Sequence, residues 1–287
     1  MTLRAFAPAK VNLYLHVGPQ GLDGYHPLES WMVFADVGDM ITLDPGKPFG
    51  LDVTGPYAGA ISSGPDNLVL KARDAAMDTQ QHVRIMQFGL VLEKVLPPAS
   101  GIGGGSSDAA ATLRLMGDYL ALPAECLAGI AETLGADVPA CLAARSLIAR
   151  GRGERLSPGP VAPQLNAVLV NPGVETATGA VFARFDRLPA SGAIEATPPP
   201  RMAGVQAVAG FLAATRNDLE AAARDLHPQI GTVLAALSGA PETLLARMSG
   251  SGATCFALCR DAVDAQALAA RIAAGHPDWW IRTCTLS

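Results

Sequence analysis

The chain has 287 residues, a formal net charge of −5, 49% hydrophobic residues and only 16% charged ones. That composition describes a globular protein with a sizeable core and excludes a disordered or fibrous chain. It shows no Lys/Arg cluster to make a nucleic-acid surface, and no run near the ~18 consecutive apolar residues of a membrane span. In chain order, residues 3–18 alternate loosely and predict a strand with Val11, Leu13, Leu15 and Val17 on one face. Pro8 and Lys10 interrupt this N-terminal stretch, so it does not read as a signal peptide, and a cytoplasmic location is expected. Lys10 and Asn12 are two apart and share a face; they either line a solvent-facing edge or both point into a site. Asp23-Gly24-Tyr25-His26-Pro27 is a turn whose Tyr25 and His26 either pack locally or sandwich a planar base.

Residues 31–43 predict a pair of strands around Gly38-Asp39, residues 67–77 a helix begun near Asp66, and residues 83–92 a strand ended by Pro97-Pro98. A helix rich in Ala, Leu and Met follows over 107–122, with Ser106 or Ser107 as N-cap, then helices over 124–134 and 139–144. Asp137, in Gly-Ala-Asp-Val-Pro, either caps that last helix or pairs with Lys10, which would keep it ionised and able to accept a hydroxyl proton. The Gly/Pro-rich residues 151–163 predict a loop and a domain boundary. Beyond it come a strand at 166–171, a loop into a helix over 173–184, and a proline-rich surface loop at 191–201. Helices at 205–215 and 218–224, strands at 246–249 and 254–259 around Gly250-Ser251-Gly252, a helix at 262–274 and a strand at 280–285 complete the chain. The class is α+β, in two halves divided near residue 155, without an internal repeat. The five cysteines are odd in number and irregularly spaced, against a disulfide framework; Cys255 and Cys259 read as buried thiols.

The stretch with the clearest chemistry is Pro97-Pro98-Ala99-Ser100-Gly101-Ile102-Gly103-Gly104-Gly105-Ser106-Ser107. It fails the Walker A pattern, because Ser106 stands at the second glycine and no lysine follows. It fails the dinucleotide fingerprint, because Ser106 again replaces a glycine. Protein-kinase signatures are missing too. Consecutive glycines still let a backbone approach a ligand closely, and a helix start adds N–H groups and a positive dipole end. A tight turn with close helix packing is the competing account. A second Gly-rich run, Arg247-Met248-Ser249-Gly250-Ser251-Gly252, suggests two segments converging on one polyanion.

Taken together, PAKVNLYL at 8–15, PPASGIGGGSSDAA at 97–110 and MSGSGATCFAL at 248–258 resemble the three ordered motifs of the GHMP family of small-molecule kinases. GYH at 24–26, LGADVPACL at 134–142, GRGERL at 151–156 and NDLE at 217–220 are similar to a branch whose alcohol substrate carries a cytidine diphosphate, in non-mevalonate isoprenoid synthesis. Ile102 where leucine is usual, and the weaker match at 175–178, are the departures. The resemblance implies an N-terminal ribosomal-protein-S5-like α/β domain over 1–155 and a C-terminal ferredoxin-like α/β sandwich over 156–287. It implies ATP and Mg2+ as cofactors, with ATP held by Pro97, Pro98, Ala99, Ser100, Gly101, Ile102, Gly103, Gly104, Gly105, Ser106 and Ser107, and with Ser107 as a candidate metal contact. Lys10 and Asp137 would be catalytic, while Asn12, Tyr25, His26 and Thr178 would bind the substrate. The partner expected is that cytidine diphosphate substrate, with no nucleic acid and no membrane, acted on by a monomer or homodimer. The competing readings are a family kinase for mevalonate, homoserine or a sugar, a ligand-sensing regulator on the same fold, and a nicotinamide-dependent oxidoreductase.

Overall fold

The computed structural model describes residues 2–79, 88–189 and 192–287. The first half runs β1 (Leu3–Val17), β2 (Leu28–Asp44), β3 (Gly50–Thr54), α1 (Leu68–Asp78), β4 (Gly89–Glu93), α2 (Gly104–Leu120), α3 (Ala124–Leu134) and α4 (Val138–Ala143). The second runs β5 (Leu147–Gly151), β6 (Arg155–Pro158), β7 (Leu165–Asn171), α5 (Thr178–Phe185), α6 (Val205–Ala213), α7 (Glu220–Leu226), α8 (Gln229–Ser238), β8 (Thr243–Met248), β9 (Cys255–Cys259), α9 (Ala262–Gly275) and β10 (Trp280–Leu286). The chain is α+β, as expected. Its two compact units are interleaved along the sequence. One gathers Met1–Ala9, Gly38–Pro98 and Gly103–Ala144; the other gathers Lys10–Val37, Ala99–Ile102 and Arg145–Ser287. The expected division into 1–155 and 156–287 follows the motifs rather than these packing units.

In the first unit β4 runs antiparallel to the end of β2, from Met40 opposite Glu93 to Asp44 opposite Gly89, and parallel to β3. Helices α1, α3 and α4 pack against α2, whose Ala109, Ala110, Ala111, Leu113 and Met116 are fully buried. Small residues at this face let helices approach closely. The α1 start fits its sequence signal, with Asn67 accepting a hydrogen bond from the Val69 N–H at 2.8 Å. The turn expected at Gly38-Asp39 does not exist: β2 is one continuous strand. A Cβ on Gly38 would stand 2.2 Å from the Ala7 carbonyl oxygen. The glycine therefore serves a close backbone approach, which sequence alone does not separate from a turn.

In the second unit the strand order is β2-β10-β7-β9-β8. β10 is antiparallel to β7 over its whole length, and its Leu286 meets Ala35 of β2. One core joins Leu15 and Val17 of β1, Val168 and Val170 of β7, and Val181 of α5. Leu219 at the start of α7, Ile230, Val233 and Leu237 of α8, and Leu268 and Ile272 of α9 complete it. The loop expected over 151–163 is in part a hairpin, since β6 pairs antiparallel with β5, Arg150 opposite Arg155. Gly151 and Gly153, at φ 73° and 108°, make its tight turn. β3 and α8 were not expected from the pattern. Residues 83–87 of the expected fourth strand lie outside the described residues.

Candidate active site

Helix α2 begins three residues earlier than its serines suggest. Gly103, in the left-handed conformation at φ 65°, is the N-cap, and no side chain caps the helix. Ser106 and Ser107 therefore sit inside the first turn. The Ser107 hydroxyl is fully buried and donates to the Pro8 carbonyl at 2.7 Å, which turns it toward the first unit's own backbone. The N–H groups of a first helical turn have no carbonyl partner within the helix. At Gly104 and Gly105 no side chain of the turn shields them. Such a bare left-handed entrance to a helix suits a phosphate.

The middle of the same segment, Ala99–Ile102, belongs to the second unit and is braced there by the other Gly-rich run. Ala99 and Ser100 give their carbonyls to the N–H groups of Thr176, at 2.9 Å, and Thr254, at 3.0 Å. The Ser249 hydroxyl donates to the Gly101 carbonyl at 3.1 Å and accepts from the Asn12 N–H at 3.1 Å. Gly101 has φ 75°, and a Cβ there would stand 2.4 Å from the Ser249 carbonyl oxygen. The two Gly-rich runs thus converge, and part of the reason is backbone packing on one another. Asn217 locks the arrangement by donating from Nδ2 to the carbonyls of Met248 and Gly250, both at 2.8 Å. The Arg247 guanidinium, pushed down to about 10 by burial, donates to the carbonyls of Leu13, Leu212 and Thr215.

Lys10 and Asn12 are both buried, at 4% and 2% exposure, so the solvent-facing alternative is ruled out. β1 is covered on both faces from Ala7 onward. The Lys10 N–H bonds the Ile102 carbonyl at 2.9 Å. Asn12 donates from Nδ2 to Ser30 Oγ at 2.7 Å, while its Oδ1 is buried without a hydrogen bond. Asp137 is the N-cap residue of α4 but its carboxylate makes no capping bond, so capping is not what it does there. Thr178 is the first residue of α5, its hydroxyl 3.0 Å from that of Ser251.

The GYH turn splits its two rings. Tyr25 is exposed, with the Arg152 guanidinium 4.2 Å above its ring, and Asp23 holds that guanidinium at 2.7 Å. His26 is buried, with Nδ1 donating to the Gly18 carbonyl at 2.8 Å, Nε2 3.1 Å from Asp186, and Phe182 and Phe185 beside the ring. A buried charge cluster escaped the sequence reading entirely. Asp108, in α2, meets Lys94 Nζ at 2.7 Å, which also meets Asp39 at 2.6 Å. The signal was present in the pattern, as Lys94 stands between Leu92 and Leu96 and Asp39 within an apolar strand. Among the described residues no three His, Cys, Asp or Glu side chains gather as a metal centre.

The GHMP kinases N-terminal domain matches residues 67–145, and the GHMP kinases C-terminal model matches residues 200–278. Over its full length the chain is 52% identical to a 4-diphosphocytidyl-2-C-methyl-D-erythritol kinase of Caulobacter vibrioides, all of which it covers. It is similar to a crystal structure of 4-(cytidine 5'-diphospho)-2C-methyl-D-erythritol kinase, with a TM-score of 0.77, 32% identity and 99% of each chain covered. A homoserine kinase from Cytophaga hutchinsonii shares the fold, at a TM-score of 0.68 and 21% identity, covering 100% of this chain and 94% of that one. With both halves matched and the likeness running end to end, the chain belongs to the GHMP kinase family.

Proposed function

We propose that the chain transfers the γ-phosphoryl group of ATP to the 2-hydroxyl of 4-diphosphocytidyl-2-C-methyl-D-erythritol, giving ADP and the 2-phosphate. The observation that carries this reading is the 52% identity over the whole length of a relative named as the kinase of that substrate. Residues 1–155 and 156–287 are read as its N- and C-terminal family domains, and the family models at 67–145 and 200–278 fall one on each side of that line. The location inferred for the reaction is the cytoplasm.

Catalysis of phosphoryl transfer is mostly positioning and charge stabilisation. The 97–107 segment is assigned to the triphosphate, because the left-handed Gly103 and the bare first turn of α2 present N–H groups and a positive dipole end. Mg2+ carried by ATP would supply charge neutralisation at the triphosphate, with Ser107 at the start of α2 as the residue that would contact it. Asp137 is assigned as general base: as the C2 oxygen bonds to phosphorus, the hydroxyl proton passes to its carboxylate. The bond from phosphorus to the β–γ bridging oxygen breaks, and its electron pair leaves on ADP. The Lys10 ammonium stabilises the negative charge that builds on the transferring group. Asn12 and Thr178 orient the alcohol, and Tyr25 and His26 recognise the cytosine. The test is ADP release with the cytidyl substrate beside mevalonate, homoserine and galactose. Turnover with the cytidyl substrate alone is expected; turnover with another alcohol and none with it would reject the substrate assignment.

A further inference from the structure

Three buried charges in the first unit are used by none of the steps above. Lys94, Asp39 and Asp108 are exposed by 2%, 0% and 3%. Lys94 Nζ donates to Asp39 Oδ2 at 2.6 Å and to Asp108 Oδ2 at 2.7 Å. Asp39 Oδ1 accepts from the N–H groups of Val95 at 2.6 Å and Leu96 at 2.8 Å, the residues that lead into the glycine segment. At the far end of that segment, a Cβ on Gly104 would stand 3.1 Å from Lys94 Nζ and 3.9 Å from Asp39 Oδ2. Asp108 lies on α2, one turn further on. Both ends of the segment are thereby bonded to, or packed against, the same three charges.

Stability does not account for such a cluster. Burying charges costs desolvation, and apolar residues of similar shape often hold a fold as well. Asp108 Oδ1 is moreover buried without a hydrogen bond, so the network is incompletely satisfied. What the cluster supplies is fixed ends. A segment whose ends are held has already lost freedom that a ligand would otherwise have to remove on binding. We propose that Lys94, with Asp39 and Asp108, is a positioning residue for nucleotide binding, clamping both ends of the glycine segment so that the first turn of α2 stays aimed at phosphate. The proposal rests on the assignment of the 97–107 segment to the triphosphate.

The experiment uses full-length Lys94→Met and Asp108→Asn, with calorimetric affinity for a non-hydrolysable ATP analogue, KM for the cytidyl substrate, and amide hydrogen exchange of residues 97–107. Lys94→Met is expected to weaken the analogue about tenfold and Asp108→Asn about threefold, with the cytidyl KM within about twofold and faster exchange at 104–107. Should Lys94→Met fail to fold, Asp108→Asn keeps one ammonium–carboxylate pair and carries the test. Wild-type affinity for the analogue in the folded variants, or a cytidyl KM that rises in step with it, would overturn the proposal. Protection of 97–107 by the analogue in the wild type separates this failure from the other. If that protection is absent, the nucleotide assignment of the segment falls, and the clamp with it.

Discussion

Asp137 and Asp108 show two ways a carboxylate can stand near a helix start. Asp137 occupies the N-cap position of α4, and its side chain makes no capping bond. Asp137→Ala is expected to lower kcat by about 10²–10⁴-fold, with both KM values within a few-fold, measured as ADP release. Turnover near the wild-type rate would remove it from the mechanism. Asp108 is the opposite case. Burial foremost, with the charge of Asp39, pushes its carboxyl up to about 7 from 3.8, against the pull of Lys94. Lys94, which burial alone would lower, is held above its ordinary value by the two carboxylates. A carboxyl raised on folding binds its proton more tightly in the folded state. Its contribution is therefore complete below about 4 and lost as the pH rises to about 7. Urea midpoints should fall across that window more steeply in the wild type than in Asp108→Asn; parallel curves would contradict this. Lys10 and Asp137 could be singled out as candidates because an ionic residue among apolar or small neighbours stands out. The same rule marks Lys94 and Asp39, but their meeting across 55 residues has no local pattern to announce it.

Among elements, periodicity served the long segments well. β1, α2, α3, β7 and α9 all lie where alternation or a helical stripe puts them. The errors came where glycine has more than one use. At Gly103 it opens α2 in the left-handed conformation, displacing the serines from the cap into the first turn. At Gly151 and Gly153 it turns a hairpin where a loop was expected. At Gly38 it makes room for the Ala7 carbonyl inside an unbroken strand. Gly38→Ala should therefore destabilise the protein by about 1–3 kcal/mol through overpacking, read by chemical denaturation. A turn glycine in open space would tolerate the methyl group, so an unchanged midpoint would reject the close-approach account. α8 went unread because its short sequence, Gln229–Ser238, lacks a capping side chain and a charged face.

For the molecule as a whole, the motifs divide near residue 155 but the packing does not. The second unit needs Lys10–Val37 to complete itself: the Arg247 guanidinium bonds the Leu13 carbonyl, and Trp31 bonds the Ser146 hydroxyl. A fragment of residues 156–287 is expected to lack dispersed amide resonances, since it loses these partners and part of its core. A well-dispersed spectrum would show that the fragment folds by itself. The five cysteines form no disulfide, and Cys141, Cys255, Cys259 and Cys284 are buried. Burial pushes Cys259 up to about 12 and raises Cys255 and Cys284 further. An aromatic disulfide reagent at pH 8 should therefore label Cys126 first, with the others following only on unfolding.

The place of β10 has a consequence for how the protein is made. It lies between β2 and β7, and Ser287 exchanges both backbone bonds with Phe34, at 2.9 and 3.0 Å. A ribosome adding residues at 5–20 per second exposes β2 roughly 10–50 s before β10 emerges. Through that interval Phe34 and Ala35, both buried at the end, form a stretch of β2 whose edge awaits β10. Synthesis that stops short of residue 280 leaves that edge, and that of β7, available to any other nascent strand.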